Sequence, residues 1–323
     1  MRVAVTGAAG FVGGAVAKHL TARGDEVLAL VRDPDRAPAL GELGCLLVPS
    51  DLSDVARIEE AIKGCDGLIH CAGSYRVGIR ASEHAAMWDA NLGTTERVLD
   101  AGIAAAVPRI VYISTVGTFG NTRGRIVDES YRRDPTDGFV SVYDETKYRA
   151  HEAAVERSSK GAPIVLVQPG QVYGQGDHSP VGEQLRRAYT GRLRYRVLDD
   201  VGLTWVHVED LAAGIVLAFD RAPLGESYVL TGPAVRLRDA IALAAKLGGH
   251  GRPRPVMPTA LLRLLAPIVD RTGGLPGAPP NLTETIRASA GVTYWASADK
   301  ARRELGFEAR GLEAGLRDTF QWA

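Results

Sequence analysis

Tyr143 and Lys147 stand four residues apart in the run YDETK at 143–147. On a helix that spacing puts both side chains on one face, where they can converge on a single point. The pairing suits proton transfer to or from a carbonyl or hydroxyl group. A tyrosine ordinarily loses its proton at about pH 10, and an adjacent ammonium favours the phenolate and brings it nearer the working pH. Spacing alone is weak, because a solvated pair on a helix surface would look the same. A third group strengthens it. Ser114 and Thr115 close a β-branched run, which would put a hydroxyl at the carboxyl edge of a sheet, where open α/β folds bind ligands.

A second constellation lies at the amino-terminal end. Gly7, Gly10 and Gly13 punctuate the run TGAAGFVG at 6–13, between an apolar strand pattern and a helical one near Phe11 and Val12. Glycines there let the backbone turn tightly and approach a pyrophosphate, to which the helix start presents free N–H groups. The next apolar run ends Leu30-Val31-Arg32-Asp33. A carboxylate at that strand tip would bind the ribose hydroxyls of NAD. The position holds Val31 and then Arg32, whose guanidinium suits a 2′-phosphate. NADP(H) is therefore the favoured cofactor, with NAD(H) left open because Asp33 follows so closely. Asp51 and Leu52, after the third strand, would bring a carboxylate near the adenine amino group, unless Asp51 only caps the approach to the next helix.

These residues need elements to hold them. Strands over 2–6, 26–31, 45–48, 67–70, 109–114 and 164–168 alternate with helices over 13–23, 54–63 (capped by Ser53), 82–106 and 142–159. Strands apolar throughout, each followed by a helix, predict an α/β fold of Rossmann type, a doubly wound parallel sheet covered on both faces. After about residue 170 the rhythm breaks. Helices are expected over 183–190, 209–220, 237–247 and 259–269, a strand over 227–230, and loops over 174–180 and 272–281, the latter a surface connection or a substrate lid. This predicts a dinucleotide-binding domain over 1–170 and a smaller, mainly C-terminal substrate lobe over 171–323, with a stretch near 200–225 returning to the sheet domain.

Composition narrows the class. Of 323 residues, 46% are hydrophobic and 24% charged, enough for a sizeable core. Lys+Arg and Asp+Glu are 38 each, so no net field draws the chain to nucleic acid or an acidic membrane. The longest apolar run, 211–219, is far short of a membrane span, and no secretory signal is readable. Cys45, Cys65 and Cys71 lack metal-ligand spacing and suit a reducing compartment. A cytoplasmic protein with a small-molecule substrate, and no metal, nucleic-acid or membrane partner, is the expectation.

Taken in order, these motifs resemble the extended short-chain dehydrogenase/reductases, in the NAD-dependent epimerase/dehydratase family. The matching pieces are TGAAGFVG at 6–13, DLSD at 51–54, HCAG at 70–73, NLGT at 91–94, YISTVGTFG at 112–120, YDETK at 143–147, QPGQVYGQGD at 168–177, WVHVEDLA at 205–212 and DKARRELGF at 299–307. The resemblance implies a catalytic set of Thr115, Tyr143 and Lys147. Thr115 would steady the substrate oxygen, Tyr143 exchange the proton, and Lys147 bind the nicotinamide ribose and lower the tyrosine pKa. It implies Ala72, Gly73, Asn91, Pro169 and Gly170 around the cofactor, Asn91 as support or as holder of a relay water, and Tyr75 within reach of substrate. His207 and Asp210 would dock the smaller lobe, and a homodimer would pack through the helices 82–106 and 142–159.

Departures from the family pattern discriminate among reactions. Val116 and Gly117 follow Thr115, where sugar-nucleotide dehydratases carry an Asp-Glu pair. Gly202-Leu203-Thr204-Trp205 stands where sugar-nucleotide epimerases carry a diphosphate-binding arginine; Arg192, Arg194 or Arg196 would have to substitute. VRDP at 31–34 and STVGT at 114–118 look more like the dihydroflavonol-4-reductase-like and hydroxysteroid-dehydrogenase-like branch, a pattern shared with hopanoid-associated sugar epimerase-like proteins. The first expectation is a carbonyl reductase or alcohol dehydrogenase acting on a small or moderately apolar substrate. A sugar epimerase using the same triad is the alternative. A non-catalytic dinucleotide sensor is the third, and would have no use for the triad.

Overall fold

A computed structural model describes residues 1–251, 254–272 and 279–321. Its strands in chain order are β1 (Arg2–Thr6), β2 (Glu26–Val31), β3 (Leu46–Pro49), β4 (Gly67–His70), β5 (Ile110–Ile113), β6 (Ile164–Pro169), β7 (Gln171–Tyr173), β8 (Gly202–His207), β9 (Ser227–Leu230), β10 (Ala234–Arg236) and β11 (Thr293–Tyr294). Seven of them form a parallel sheet in the order β3-β2-β1-β4-β5-β6-β9. Every residue of β4, β5 and β6 is buried because helices cover both faces, hence their unbroken apolar runs. On one face Val16, Leu20, Leu211, Ile215 and Phe219 close the core; on the other Ile58, Leu99, Ala150 and Ala154 do. The Rossmann-type sheet is as the sequence implies.

The strand order reverses at β1 and β4, and the crevice outside their carboxyl ends is the ligand site of such sheets. The loop after β1, the loop after β4 and the end of β5 all open onto it.

Several local expectations shift. Helix Val55–Ile62 is capped by Asp54, not Ser53: the Asp54 carboxylate accepts from the amides of Ala56 (2.9 Å) and Arg57 (3.4 Å), while Ser53 bonds back to Asp51. The single helix expected over 82–106 is a short helix His84–Trp88, a π-helical turn Asp89–Gly93 and a helix Thr94–Ala104. Helix Val142–Ser159 lies where its pattern puts it, with Ser141 as cap. A second sheet, β7 and β11 parallel to β8 and β10 antiparallel to it, was not anticipated. Nor were the helices Leu282–Ser289, Asp299–Leu305 and Leu312–Phe320. Of the loop expected over 272–281, residues 273–278 lie outside the described residues. Among those described, no helix is long and apolar enough to cross a membrane.

Candidate active site

The glycine loop is shaped by what its residues lack. Gly7 has φ +69°, and a Cβ there would lie 2.7 Å from the Ala72 amide nitrogen at the end of β4. A Cβ on Gly13 would lie 2.3 Å from the Gly7 carbonyl oxygen. The helix Phe11–Ala22 begins at Gly10 with no side chain over its free N–H groups. Beside it opens a cavity of about 370 Å³, lined by Ala8, Ala9, Gly10, Phe11, Lys18 and Arg36 among others. Val12 follows Phe11 in the first turn, half-buried against the core. Bare helix N–H groups, a backbone that admits no side chain and an adjoining cavity fit a dinucleotide pyrophosphate.

At the tip of β2, Arg32 is exposed. Asp33 is spent locally: its carboxylate accepts from the Asp35 amide at 3.1 Å and caps a 3-10 turn, Pro34–Arg36. That turn delivers Arg36 to the cavity, where Arg32 does not reach its lining. The sequence signal for Arg36 was only a second arginine four residues on; its direction depends on the turn. Asp51 Oδ1 accepts from the amide and hydroxyl of Ser53, and this holds its carboxyl below the usual range. Leu52 is buried at φ +60°, with its carbonyl held by Arg97 at 2.7 Å.

Tyr143 sits in the first turn of helix Val142–Ser159, and Thr115 stands at the end of β5 as the cap of the turn Val116–Phe119. Burial pushes the Tyr143 hydroxyl up, Tyr75 and Tyr112 add to this, and the Thr115 side chain pulls it down. Lys147, one turn on and buried, donates to the Ile113 carbonyl at 3.1 Å and the Tyr112 hydroxyl at 3.4 Å. In this arrangement the ammonium is bonded to Ile113 and Tyr112 rather than to Tyr143. Tyr75 packs edge-on against Tyr143 with ring centroids 4.9 Å apart and is 49% exposed. The first turn is anchored from outside: Arg133 pairs with Asp144 at 3.0 Å with both side chains buried, and Glu284 accepts from the Val142 amide at 3.0 Å.

Asn91 turns out to be a positioning residue. Its Oδ1 accepts from the Ser74 amide (2.8 Å), and its Nδ2 donates to the Ser74 carbonyl (3.1 Å) and the Thr146 hydroxyl (3.0 Å). The side chain thus clamps the loop after β4 to the long helix. The same loop is held from below by a chain in which each donor is fixed. The Ala72 amide donates to Thr6 Oγ1, Thr6 to His70 Nδ1 (2.7 Å), His70 Nε2 to Thr95 (3.2 Å), and Thr95 to the Asn91 carbonyl (2.6 Å). His70 is fully buried and neutral, its pKa pushed down to about 3 by burial and then by Lys147. Gly73 lies close under Asn91, where a Cβ would be 3.2 Å from Oδ1. Pro169 ends β6; a Cβ on Gly170 would lie 2.4 Å from both the Thr204 carbonyl and the Thr231 hydroxyl.

Sequence reasoning missed Ser114–His151. His151 Nδ1 bonds Ser114 Oγ at 3.0 Å, one turn beyond Lys147, and burial followed by Lys147 pushes its pKa down to about 4. Its position eight residues after Tyr143, on the same helix face, was the available signal. His207 caps helix Val208–Arg221, and Asp210 takes a bidentate pair from Arg310 near the C-terminal end.

Fold and crevice together define a dinucleotide-dependent oxidoreductase or a relative of one. The chain matches the NAD dependent epimerase/dehydratase family over residues 3–231, and it belongs to that family. It is 30% identical to a Synechocystis sp. protein named "Putative dihydroflavonol 4-reductase", covering 98% of this chain and 93% of the relative. It is also 30% identical to the 4-hydroxy-2-methyl-3-oxo-4-farnesyl-3,4-dihydroquinoline-1-oxide ketoreductase of Stigmatella aurantiaca, covering 97% and 95%. Among solved structures, PA4631, a nucleoside-diphosphate-sugar epimerase from Pseudomonas aeruginosa, superposes with TM-score 0.79 at 26% identity over 100% of this chain and 97% of that one. The protein is an NAD(P)-dependent oxidoreductase or epimerase.

Proposed function

We propose that the protein is an NADP(H)-dependent carbonyl reductase, running in reverse as an alcohol dehydrogenase, on a small or moderately apolar substrate. The observation that carries this reading is the placing of Tyr143 and the buried Lys147 one turn apart on a helix beside the end of β5, with the Tyr143 ring meeting the half-exposed Tyr75 edge-on at 4.9 Å. The nicotinamide, when bound, supplies or accepts the hydride. In reduction, Thr115 donates a hydrogen bond to the substrate oxygen while Tyr143 gives that oxygen its proton, yielding the alcohol and a phenolate that solvent reprotonates. Lys147 contributes the positive charge that stabilises this phenolate and a free N–H for the ribose. Burial, which holds the resting hydroxyl protonated, suits a proton donor. Glycines 7, 10 and 13 take the pyrophosphate, with Ala72, Gly73, Pro169 and Gly170 around the nicotinamide.

Two features favour NADP(H) and a substrate without a diphosphate. Asp33 is committed to its turn, while Arg32 and Arg36 are exposed near it with no carboxylate partner among the described residues. Gly202, Leu203 and Thr204 are buried strand residues with no cation among them, and Arg196 is paired with Asp199 at 3.2 Å. Two named relatives of the chain are reductases of carbonyl compounds by name. The test is dinucleotide occupancy: identify any nicotinamide that co-purifies, then titrate the emptied protein with NADPH, NADH, NADP+ and NAD+. Exchangeable binding that prefers NADPH is expected. Tightly retained NAD+ would overturn both the Arg32/Arg36 reading and the reductase, and put an epimerase first.

A further inference from the structure

Helix Thr259–Thr272 is apolar on two faces. Leu262, Ala266 and Val269 pack inward against Leu198, Leu282 and Ile286. Leu261, Leu264, Leu265 and Ile268 recur at helical spacing on the outside and are 43, 74, 38 and 60% exposed. A helix whose outer face carries an apolar stripe flanked by arginines suits a lipid interface. The charge around this stripe is one-sided. Arg263 and Arg271, with Arg287 on the adjacent helix Leu282–Ser289, are exposed, and none has a carboxylate partner among the described residues. The acids of this helix pair are turned to other work. Asp270 accepts from the Leu282 amide at 2.6 Å, and the buried Glu284 holds the Val142 amide. Arginines around an apolar stripe, on a chain of formal net charge +0, complement an anionic lipid surface. A second copy meeting the same face about a two-fold axis would bring two basic faces together.

We infer that helix Thr259–Thr272 docks the protein reversibly on anionic membranes, the leucine stripe entering the acyl boundary and the arginines meeting phosphates. The overall charge balance that argued against a membrane partner conceals this local excess. The helix pair is also seated on the catalytic cleft, since Glu284 holds the first turn of the Tyr143 helix and the Asn281 amide donates to the Gly78 carbonyl at 2.9 Å. Docking therefore brings the cleft beside the lipid, where an apolar carbonyl compound would dissolve; this last point rests on the reductase reading.

The experiment is co-sedimentation of the full chain with vesicles of phosphatidylcholine, alone or mixed with phosphatidylglycerol. Binding should be at least about tenfold tighter to the anionic vesicles and weaken as salt screens it. The variant L264Q/I268Q should bind at least about tenfold more weakly while keeping its affinity for dinucleotide, which reports an intact fold. Absence of binding to either vesicle overturns the inference. So does binding that L264Q/I268Q leaves unchanged, or a concentration-dependent dimer that this variant abolishes. Failure to reduce any carbonyl compound would sink the reductase reading but leave the vesicle result standing.

Discussion

The two walls of the crevice are made by opposite means. The nucleotide wall is backbone brought close by missing side chains, with Gly7 against Ala72 and Gly13 against Gly7. The catalytic wall is built by side chains that reach across it: Asn91 to the Ser74 backbone and the Thr146 hydroxyl, Ser114 to His151, Arg133 to Asp144. A wall of the first kind fails when anything is added to it. One of the second kind fails when anything is removed, and its buried groups respond to protons.

The acid response should be the largest effect, and it belongs to the catalytic wall. Folded His70 and His151 take up protons only near pH 3 and 4, whereas unfolded histidines do so from about pH 6.5 downward. The unfolded chain therefore gains protons that the folded one refuses. Stability is full above about pH 6.5 and falls between there and about pH 4, by about 2 kcal/mol for each histidine at pH 5. Urea melts at pH 7.5 and 5 check this, and a His70→Asn variant should lose less than the parent. An equal loss in both would break the claim for His70.

Addition to the other wall comes next. Gly13→Ala puts a methyl 2.3 Å from a carbonyl that cannot swing aside. NADPH affinity should fall about 100-fold, roughly 3 kcal/mol, in a titration; unchanged affinity would contradict the backbone account. Asn91→Ala should cost about 2 kcal/mol by leaving both backbone polar groups of Ser74 unpaired, lowering the melting temperature by about 3 °C. The smallest effect sharpens the cofactor. Arg36→Ala should weaken NADPH by about tenfold and leave NADH untouched; equal loss for both dinucleotides would place Arg36 elsewhere than at a 2′-phosphate.

The same contrast explains what the sequence revealed. Glycine spacing, apolar strands and the Tyr143–Lys147 interval are local, and each reads off a few consecutive residues. Asn91, Arg36 and Ser114–His151 acquire their work from the fold around them, and Asn91 lies in a π-turn that no helical pattern records. The second sheet escaped for a related reason. β11 is two residues long and pairs with a strand about 90 positions earlier, too short to carry an alternation. Asp54 replaced Ser53 as cap because either could serve by type, and only geometry assigned Ser53 to Asp51.

The most direct test of the central claim is steady-state carbonyl reduction, with NADPH binding measured in parallel, for Tyr143→Phe. The account predicts turnover lower by about 10²- to 10⁴-fold with NADPH affinity unchanged, because only the proton donor is gone. Turnover within about twofold of the parent would contradict it.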